Sequence, residues 1–310
     1  MITKPSLIKI AILSLSLFLV FPLQALYAFK AYRLQKNDVI VLFQEPLRSA
    51  AEETADIYKP VKNRLENIFR WKINFIPTVL LIKDSKTFQR IAGSSYIVAF
   101  AIPHENLMVI DYSKMRTHPF SIEVTLKHEL CHLLLNHYIK QEKLPKWLNE
   151  GIAQWASGGT GELIMSENRS LLDGAILSGK YINIQALKDR FPKDRKSLIL
   201  AYEESKSLVE YIISKYGKDG LLMILNYLKD GDEPDVAILK SLSISIDELE
   251  NGWYTYHKKR ISWFTYLTNN LYGILFFLSA LILIYGFIRR LMKKRAYERY
   301  EEENDHYPPH

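Results

Sequence analysis

Residues 121–156 read SIEVTLKHELCHLLLNHYIKQEKLPKWLNEGIAQWA, and this stretch decides the fold that the sequence predicts. Within it, the motif His128-Glu-Leu-Cys-His132 lies in an apolar segment with helical spacing. Residues four apart on a helix lie on one face, one turn from each other, so the two imidazoles can reach the same metal ion. Zn²⁺ accepts imidazole nitrogens at ~2.0–2.1 Å in tetrahedral geometry. The motif therefore predicts a metal site on a buried helix.

Glu129 directly follows the first histidine of the motif. On a helix it is rotated by about 100° from His128. It can therefore lie beside a metal ion without binding it and take a proton from the water that the ion activates. Because burial of two histidines and a glutamate without partners is costly, a metal site is favoured over a pair of core histidines.

Three residues compete as the third metal ligand. His137 is rotated by about 140° from His132 on a helix, so it points elsewhere and is expected to end the helix. Glu142 lies in the expected loop between two helices and is expected to be solvated. Glu150 lies on the second helix, which can pack antiparallel to the first because the connection is short. Glu150 can then face the two histidines, and Gly151 permits a close approach of the helices.

These motifs carry a resemblance to a known family. His128-Glu-Leu-Cys-His132 followed by Asn149-Glu150-Gly151 resembles the gluzincin metallopeptidases of the thermolysin and aminopeptidase type. Among these it resembles most the short bacterial peptidase-MA-like group. The resemblance extends over residues 78–216 and is strongest over 125–156.

The resemblance implies a fold, a cofactor and a set of roles. A zincin-like domain is implied, with Zn²⁺ bound by His128, His132 and Glu150. Glu129 is implied as the general base and proton shuttle. Leu107–Asp111 is implied as the edge strand of the sheet, along which an extended peptide substrate lies.

A later helix adds a weaker candidate for catalysis. The family often has the pattern Ala-Tyr-x-x-Ser-x-Ser-Leu-Val-x-Tyr, and residues 201–211 read AYEESKSLVEY. By this resemblance Tyr202 is the candidate phenol that stabilises the oxyanion. A packing role for Tyr202 is an equal alternative, since tyrosines commonly pack with only the hydroxyl satisfied. Gln154, one turn after Glu150, is a candidate to orient that carboxylate.

Around the motif, the sequence predicts one α+β domain over residues 38–260, with a small mixed sheet and mostly helices. Strands are predicted over 78–82, 96–102 and 107–111. Helices are predicted over 47–70 with an interruption at Pro60, from Pro119 to about Tyr138, from Pro145 to about Ala156, and over 197–216.

An apolar run near the N-terminus predicts export of the following segment. Ile10 to Phe29 is preceded by Lys4 and Lys9, the pattern of a secretory signal. A bulky residue, Leu26, stands where the cleavage site needs a small one. Residues 1–28 are therefore a cleaved signal peptide or an uncleaved signal anchor.

A second apolar run, Leu271 to Ile288, has 18 residues and no charge. A helix that crosses a bilayer needs ~17–25 such residues. Five basic residues follow in positions 289–295, and basic residues favour the cytoplasmic side. The sequence thus predicts a single-pass protein of the cell membrane, with an extracytoplasmic catalytic domain and a cytoplasmic tail over 289–310.

Composition excludes several functional classes. The chain of 310 residues has a formal net charge of +7 without a clustered basic patch in its middle, so no nucleic-acid partner is expected. The single cysteine, Cys131, excludes an intramolecular disulfide framework and a cysteine-cluster metal site. Cys131 is expected to be a buried small residue.

The function predicted from the sequence is hydrolysis of peptide bonds by a membrane-anchored zinc metallopeptidase, with a peptide or protein as substrate. Two alternatives stay open. One is a zincin-fold scaffold or binding protein without turnover, and the other is a metal-dependent amidase. The intact catalytic positions argue against the scaffold. The sequence leaves cleavage specificity and oligomeric state open.

Overall fold

A computed structural model describes residues 2–3, 31–36, 38–117, 119–158, 171–269 and 271–305. The backbone divides into two units, with the boundary between Tyr254 and Thr255. Apart from Ile2 and Thr3, the predicted signal peptide or anchor over 1–28 lies outside the described residues.

The first unit contains a mixed β-sheet. In the described part of the chain its strands are β1 (Ile2–Thr3), β2 (Tyr32–Lys36), β3 (Val39–Phe43), β4 (Thr78–Ile82), β5 (Ala99–Ile102) and β6 (Leu107–Asp111). Their order is β1-β2-β3-β4-β6-β5. The pairs β3–β4 and β4–β6 are parallel, and the other pairs are antiparallel. The prediction of a small mixed sheet is therefore confirmed.

The predicted edge strand is wrong. Leu107–Asp111 does form a strand, but β6 is paired on both sides, with β4 and with β5, and each of its residues is buried. The edge is instead β5, which is half-buried over most of its length and begins at Ala99 rather than at residue 96. A strand that is buried on both faces and paired on both sides carries a continuous apolar sequence, which is why LMVID alone does not reveal its position.

Helices make up most of the described chain. They are α1 (Arg48–Phe69), α2 (Ser85–Ala92), α3 (Ile122–Tyr138), α4 (Lys146–Ser157), α5 (Leu171–Ser178), α6 (Arg195–Lys229), α7 (Pro234–Leu242), α8 (Ile246–Asn269) and α9 (Leu271–Asp305). The predicted α+β class, mostly helical with a small sheet, is confirmed.

Helix α1 continues through Pro60, so the predicted interruption there is wrong. Proline removes one backbone hydrogen bond to the residue four positions earlier. That residue, Asp56, is exposed, as is Pro60, so the lost hydrogen bond belongs to the solvent-exposed face of the helix. The opposite face of α1 buries Tyr58, Val61 and Leu65, and this burial holds the helix together across the proline.

The two site helices begin slightly later than predicted. Helix α3 begins at Ile122 because Ser121 caps it, with Oγ accepting the backbone N–H of Val124 at 3.2 Å. Helix α4 begins at Lys146, directly after Pro145. Gly158 ends α4 in the left-handed region at φ 76°. Helix α3 packs against α1, α4 and β5, so the metal motif lies in the core.

The second unit contains the end of α8, from Thr255 onward, and all of α9. Within Leu271–Arg295, the most apolar window of 18 residues has a mean hydropathy of 2.4, and none of that window is buried. By length and composition this helix could cross a membrane.

Candidate metal centre

Helix α3 presents two imidazoles to the same point. The Nε2 atoms of His128 and His132 lie 3.1 Å apart, and the two rings meet edge to face with centroids 4.7 Å apart. His128 is 0% exposed and His132 is 6% exposed. Their spacing of one helical turn puts both rings on the face of α3 that meets α4.

Glu150 reaches this pair from α4. Its Oε2 lies 3.5 Å from Nε2 of His132 and 3.8 Å from Nε2 of His128. The carboxylate is buried, at 5% exposure for the residue. The structure therefore brings His128, His132 and Glu150 together, with one ligand atom of each within 4.8 Å of the others.

The separations of these donor atoms fit a zinc ion. Ligand bonds of ~2.0–2.1 Å in a tetrahedral arrangement place two donors about 3.3 Å apart. The three observed separations, 3.1, 3.5 and 3.8 Å, lie around this value. Two imidazole nitrogens and a carboxylate oxygen are also the donors of catalytic zinc sites that have three protein ligands. The residues present thus fit the metal that the sequence predicts.

Asn149 fixes the orientation of one imidazole. Its Oδ1 lies 2.8 Å from Nδ1 of His132. An amide oxygen only accepts, so Nδ1–H of His132 donates, and Nε2 keeps its lone pair toward the site. Sequence reasoning missed this role, although Asn149 directly precedes the predicted ligand Glu150.

Gly151 allows close packing, but against a different helix from the one expected. A Cβ built on Gly151 would collide with the backbone oxygen of Ser205 and would lie 2.8 Å from Cγ2 of Val209. Both residues belong to α6. Gly151 therefore permits the contact between α4 and α6, rather than the one between α4 and α3.

Gln154 makes a different hydrogen bond from the one expected. Its Nε2 donates to the backbone oxygen of Tyr202 at 3.1 Å. Gln154 is 1% exposed, so this bond ties the inside of α4 to α6. The expected hydrogen bond to the Glu150 carboxylate is not among the contacts that the described residues show for Gln154.

The other sequence candidates are placed as follows. Glu129 is fully buried on α3, directly beside His128. The ring of Tyr202 is 5% exposed and packs edge to face on Phe191, with centroids 5.0 Å apart, so its packing role is visible and its oxyanion role stays a prediction. His137 is exposed at the end of α3 and contacts the ring of Phe75.

Glu142 and Cys131 are placed as the sequence predicts. Glu142 is exposed in the connection between α3 and α4. Cys131 is 0% exposed, and burial raises the pKa of its thiol well above the ordinary value. A buried thiol of this kind stays protonated and unreactive.

A mixed sheet packed against helices, with a buried His-His-Glu group between two of them, defines a peptidase-like fold. The family model of the Peptidase MA superfamily matches residues 91–259, which is more than half of the chain. The chain belongs to this superfamily. The match begins later and extends further toward the C-terminus than the range of the sequence resemblance, and it includes every predicted site residue.

A second comparison finds a partial similarity to a curated protein. Transcription factor E of Methanoregula boonei is 32% identical over 104 residues, covering 31% of this chain and 60% of that protein. The chain thus spans less than two thirds of this relative's length. A partial match of this kind carries no assignment of activity to this chain.

Proposed function

We propose that this protein is a membrane-anchored zinc metallopeptidase whose catalytic domain lies outside the cytoplasm. The observation that carries the proposal is the convergence of His128, His132 and Glu150 in a buried site whose donor separations suit zinc. Membership of the Peptidase MA superfamily supports a peptide or protein substrate.

Each residue of the centre has a role in the proposed reaction. His128 and His132 would hold the ion through Nε2, and Glu150 through Oε2. A bound zinc ion supplies Lewis acidity, which lowers the pKa of water and polarises a carbonyl group. Asn149 keeps His132 in the tautomer that leaves Nε2 free to ligate.

Glu129 is the proposed proton carrier. Its position next to His128 on α3 turns its side chain by about 100° from the ligating face, so it would lie beside a bound ion without ligating it. It takes a proton from the attacking water and then gives that proton to the leaving amine nitrogen. Tyr202 is the candidate donor to the developing oxyanion.

The corrected sheet order gives a new place for the substrate. Strand β5 is the edge of the sheet next to α3, the helix that carries both histidines. An edge strand offers backbone N–H and C=O groups to which an extended peptide can pair. We therefore place the peptide along Ala99–Ile102 rather than along Leu107–Asp111.

The charges beside α9 support the proposed topology. Leu271–Arg295 could span a membrane, and its basic residues are concentrated in positions 289–295. Basic residues at one end of a span favour the cytoplasmic side, which puts the domain before the span outside. Residues 30–260 expressed alone should then be soluble without detergent, and a segment that stays in detergent would contradict this topology.

The proposal is tested by the zinc content of the full chain, purified in detergent and dialysed. Wild type should hold one zinc per chain, and Glu150→Ala should lose most of it because the ion loses one of three protein ligands. Glu142→Ala is the matched control, since Glu142 is an exposed glutamate eight residues earlier. A folded wild type that binds no zinc would favour the scaffold without turnover.

A further inference from the structure

Glu150 presents its two carboxylate oxygens to different neighbours. Oε2 lies on the side of the two imidazoles, 3.5 Å from His132 Nε2. Oε1 lies 3.3 Å from Nζ of Lys146, one helical turn earlier on α4. One oxygen of the carboxylate thus faces the two imidazoles, and the other faces the ammonium group of Lys146.

Residues 188–191 contact Lys146 at both its backbone and its side chain. Its backbone N–H donates to the oxygen of Lys188 at 2.6 Å. Its Nζ lies 5.2 Å from the centroid of the Phe191 ring, within the range of a cation–π contact. The side chain of Lys146 is 39% exposed, whereas that of Glu150 is only 7% exposed. A cation fixed at both ends loses less conformational entropy when it points at one oxygen of the carboxylate.

The different neighbours of the two Glu150 oxygens determine how many bonds this carboxylate can make to a metal. A carboxylate can ligate through one oxygen or through both. An ammonium group at Oε1 engages a lone pair of this oxygen and, by its positive charge, disfavours a second metal bond there. Oε2 is then the single donor of Glu150, and with two imidazoles the protein supplies three donors, which keeps a fourth position for water.

We propose that Lys146 is a positioning residue of the metal centre, which holds Oε1 of Glu150 and so limits this carboxylate to one metal bond through Oε2. This inference rests on the proposed function, because it requires a metal ion at the three donors. Lys146 acts through Glu150 and has no contact of its own with substrate in this role.

Another lysine–glutamate pair with the same spacing provides a matched control. Lys206 and Glu210 on α6 also form a pair four residues apart, with Nζ 3.9 Å from Oε1. The two side chains are 35% and 55% exposed, so this carboxylate, unlike that of Glu150, is solvated, and neither residue belongs to the metal centre. A solvated helix pair of this kind contributes little to stability and does not orient groups of a distant site.

The test replaces Zn²⁺ by Co²⁺ in the full chain, purified in detergent. The visible absorption of Co²⁺ weakens as its coordination number rises, so it reports whether a second carboxylate oxygen binds. Metal affinity alone would not separate the effects, because losing the ammonium group loosens Glu150 but also removes a positive charge near the ion. The measured quantity is therefore absorbance per bound Co²⁺.

Lys146→Met removes the ammonium group and keeps an aliphatic stem against Phe191, and Lys146→Gln is a second neutral variant if the first does not fold. Both should lose absorbance per bound Co²⁺ relative to wild type. Lys146→Arg should restore the wild-type spectrum, and Lys206→Met should leave it unchanged.

The outcomes separate this inference from the proposed function. Wild type that binds no Co²⁺ and no Zn²⁺ would overturn both. Wild type that binds Co²⁺, with an unchanged spectrum in a folded neutral variant at position 146, would overturn the role of Lys146 alone. An equal loss of absorbance in Lys206→Met would also overturn that role, because it would show a general effect of removing a helix cation.

Discussion

Helices α3 and α9 are both rich in apolar residues, but they bury them differently. On α3, Leu126, Leu130 and Leu134 are each 0% exposed. On α9, Phe276 is 78% exposed and Ile282 is 71% exposed. Helix α3 is packed by α1, α4 and strands of the sheet, whereas none of the apolar window of α9 is buried.

The two helices differ in whether they can hold buried polar side chains. A helix surrounded by protein can hold polar groups, because neighbouring elements supply hydrogen bonds and counter-charges. His128, Glu129 and His132 are buried on α3, and Asn149 and Glu150 of α4 contact the imidazole nitrogens. Helix α9 has no charged residue over 271–288, as expected of a helix whose neighbour is hydrocarbon. Apolar content alone therefore does not distinguish a buried core helix from a candidate membrane span, but the buried polar residues do.

The largest effect should come from the buried polar face of α3. Glu129→Gln should lower peptide hydrolysis by about 10²–10⁴-fold, because general base catalysis is lost. The variant should keep its zinc, since Glu129 is not among the three converging ligands. Hydrolysis is measured on the full chain in detergent, with zinc content determined on the same sample.

Glu123→Gln is the control for this variant. Glu123 lies in the first turn of the same helix and pairs with Arg64. It should keep wild-type turnover. An active Glu129→Gln enzyme would exclude the proposed mechanism and would leave α3 with a purely structural polar face.

A matched pair of truncations tests the comparison of the two helices directly. Leu130→Ala on α3 should lower the free energy of unfolding by about 2–5 kcal/mol, because it leaves a cavity in a packed core. Leu281→Ala on α9 should change that free energy by less than about 0.5 kcal/mol, since this side chain is 46% exposed. Unfolding is followed by the fluorescence of the buried Trp147 and Trp253. Equal losses would mean that α9 contributes to the core of the first unit.

A buried carboxyl group on α6 predicts that the stability of the first unit depends on pH. Glu204 is 0% exposed, and its Oε1 accepts the backbone N–H of Ile182 at 3.0 Å. Burial is the main cause that raises the pKa of Glu204 from 4.5 to about 8, with Glu250 and Glu203 adding to it and the hydrogen bond from Ile182 opposing it.

The sign follows from linkage. A raised pKa means that the folded state holds this proton more tightly than the unfolded state does. The contribution of Glu204 to folding stability is therefore complete below pH 4.5 and is lost as the pH rises through 8. One pKa unit corresponds to about 1.4 kcal/mol, so the loss by alkaline pH amounts to a few kcal/mol. The melting temperature of the first unit should fall between about pH 4.5 and 8 and level off above that.

Glu204→Gln should flatten this profile, because glutamine does not titrate. Glu210→Gln, an exposed glutamate on the same helix, should leave it unchanged. A wild-type profile that is already flat over this range would show that Glu204 keeps an ordinary pKa.

The sequence predicts the local parts of the site well, because each depends on a short segment. Helical periodicity brings His128 and His132 onto one face, and a short connection turns Glu150 back toward them. The edge strand was missed because strand order depends on tertiary packing: Ala99–Ile102 and Leu107–Asp111 are both apolar, and the apolar pattern does not say which of them pairs with β4.

Asn149 and Gly151 show the same limit within the site itself. The hydrogen bond of Asn149 depends on the rotation of α4 about its axis relative to α3, which no spacing rule specifies. The role of Gly151 depends on α6, a helix about fifty residues later in the chain. Local sequence patterns therefore do not predict contacts between distant segments of the chain.

The smallest effect should come from the contact between α4 and α6. Gly151→Ala forces a Cβ into the backbone oxygen of Ser205, and overpacking of this kind costs about 1–3 kcal/mol. Gly174→Ala on α5 is the matched control, because a Cβ there meets no atom within 4 Å. It should stabilise the protein by up to about 1 kcal/mol, since alanine is the better helix former. Opposite shifts in urea midpoint would show that close packing against α6, and not helix propensity, requires glycine at 151. Equal shifts would remove α6 from the elements that hold Glu150 in place.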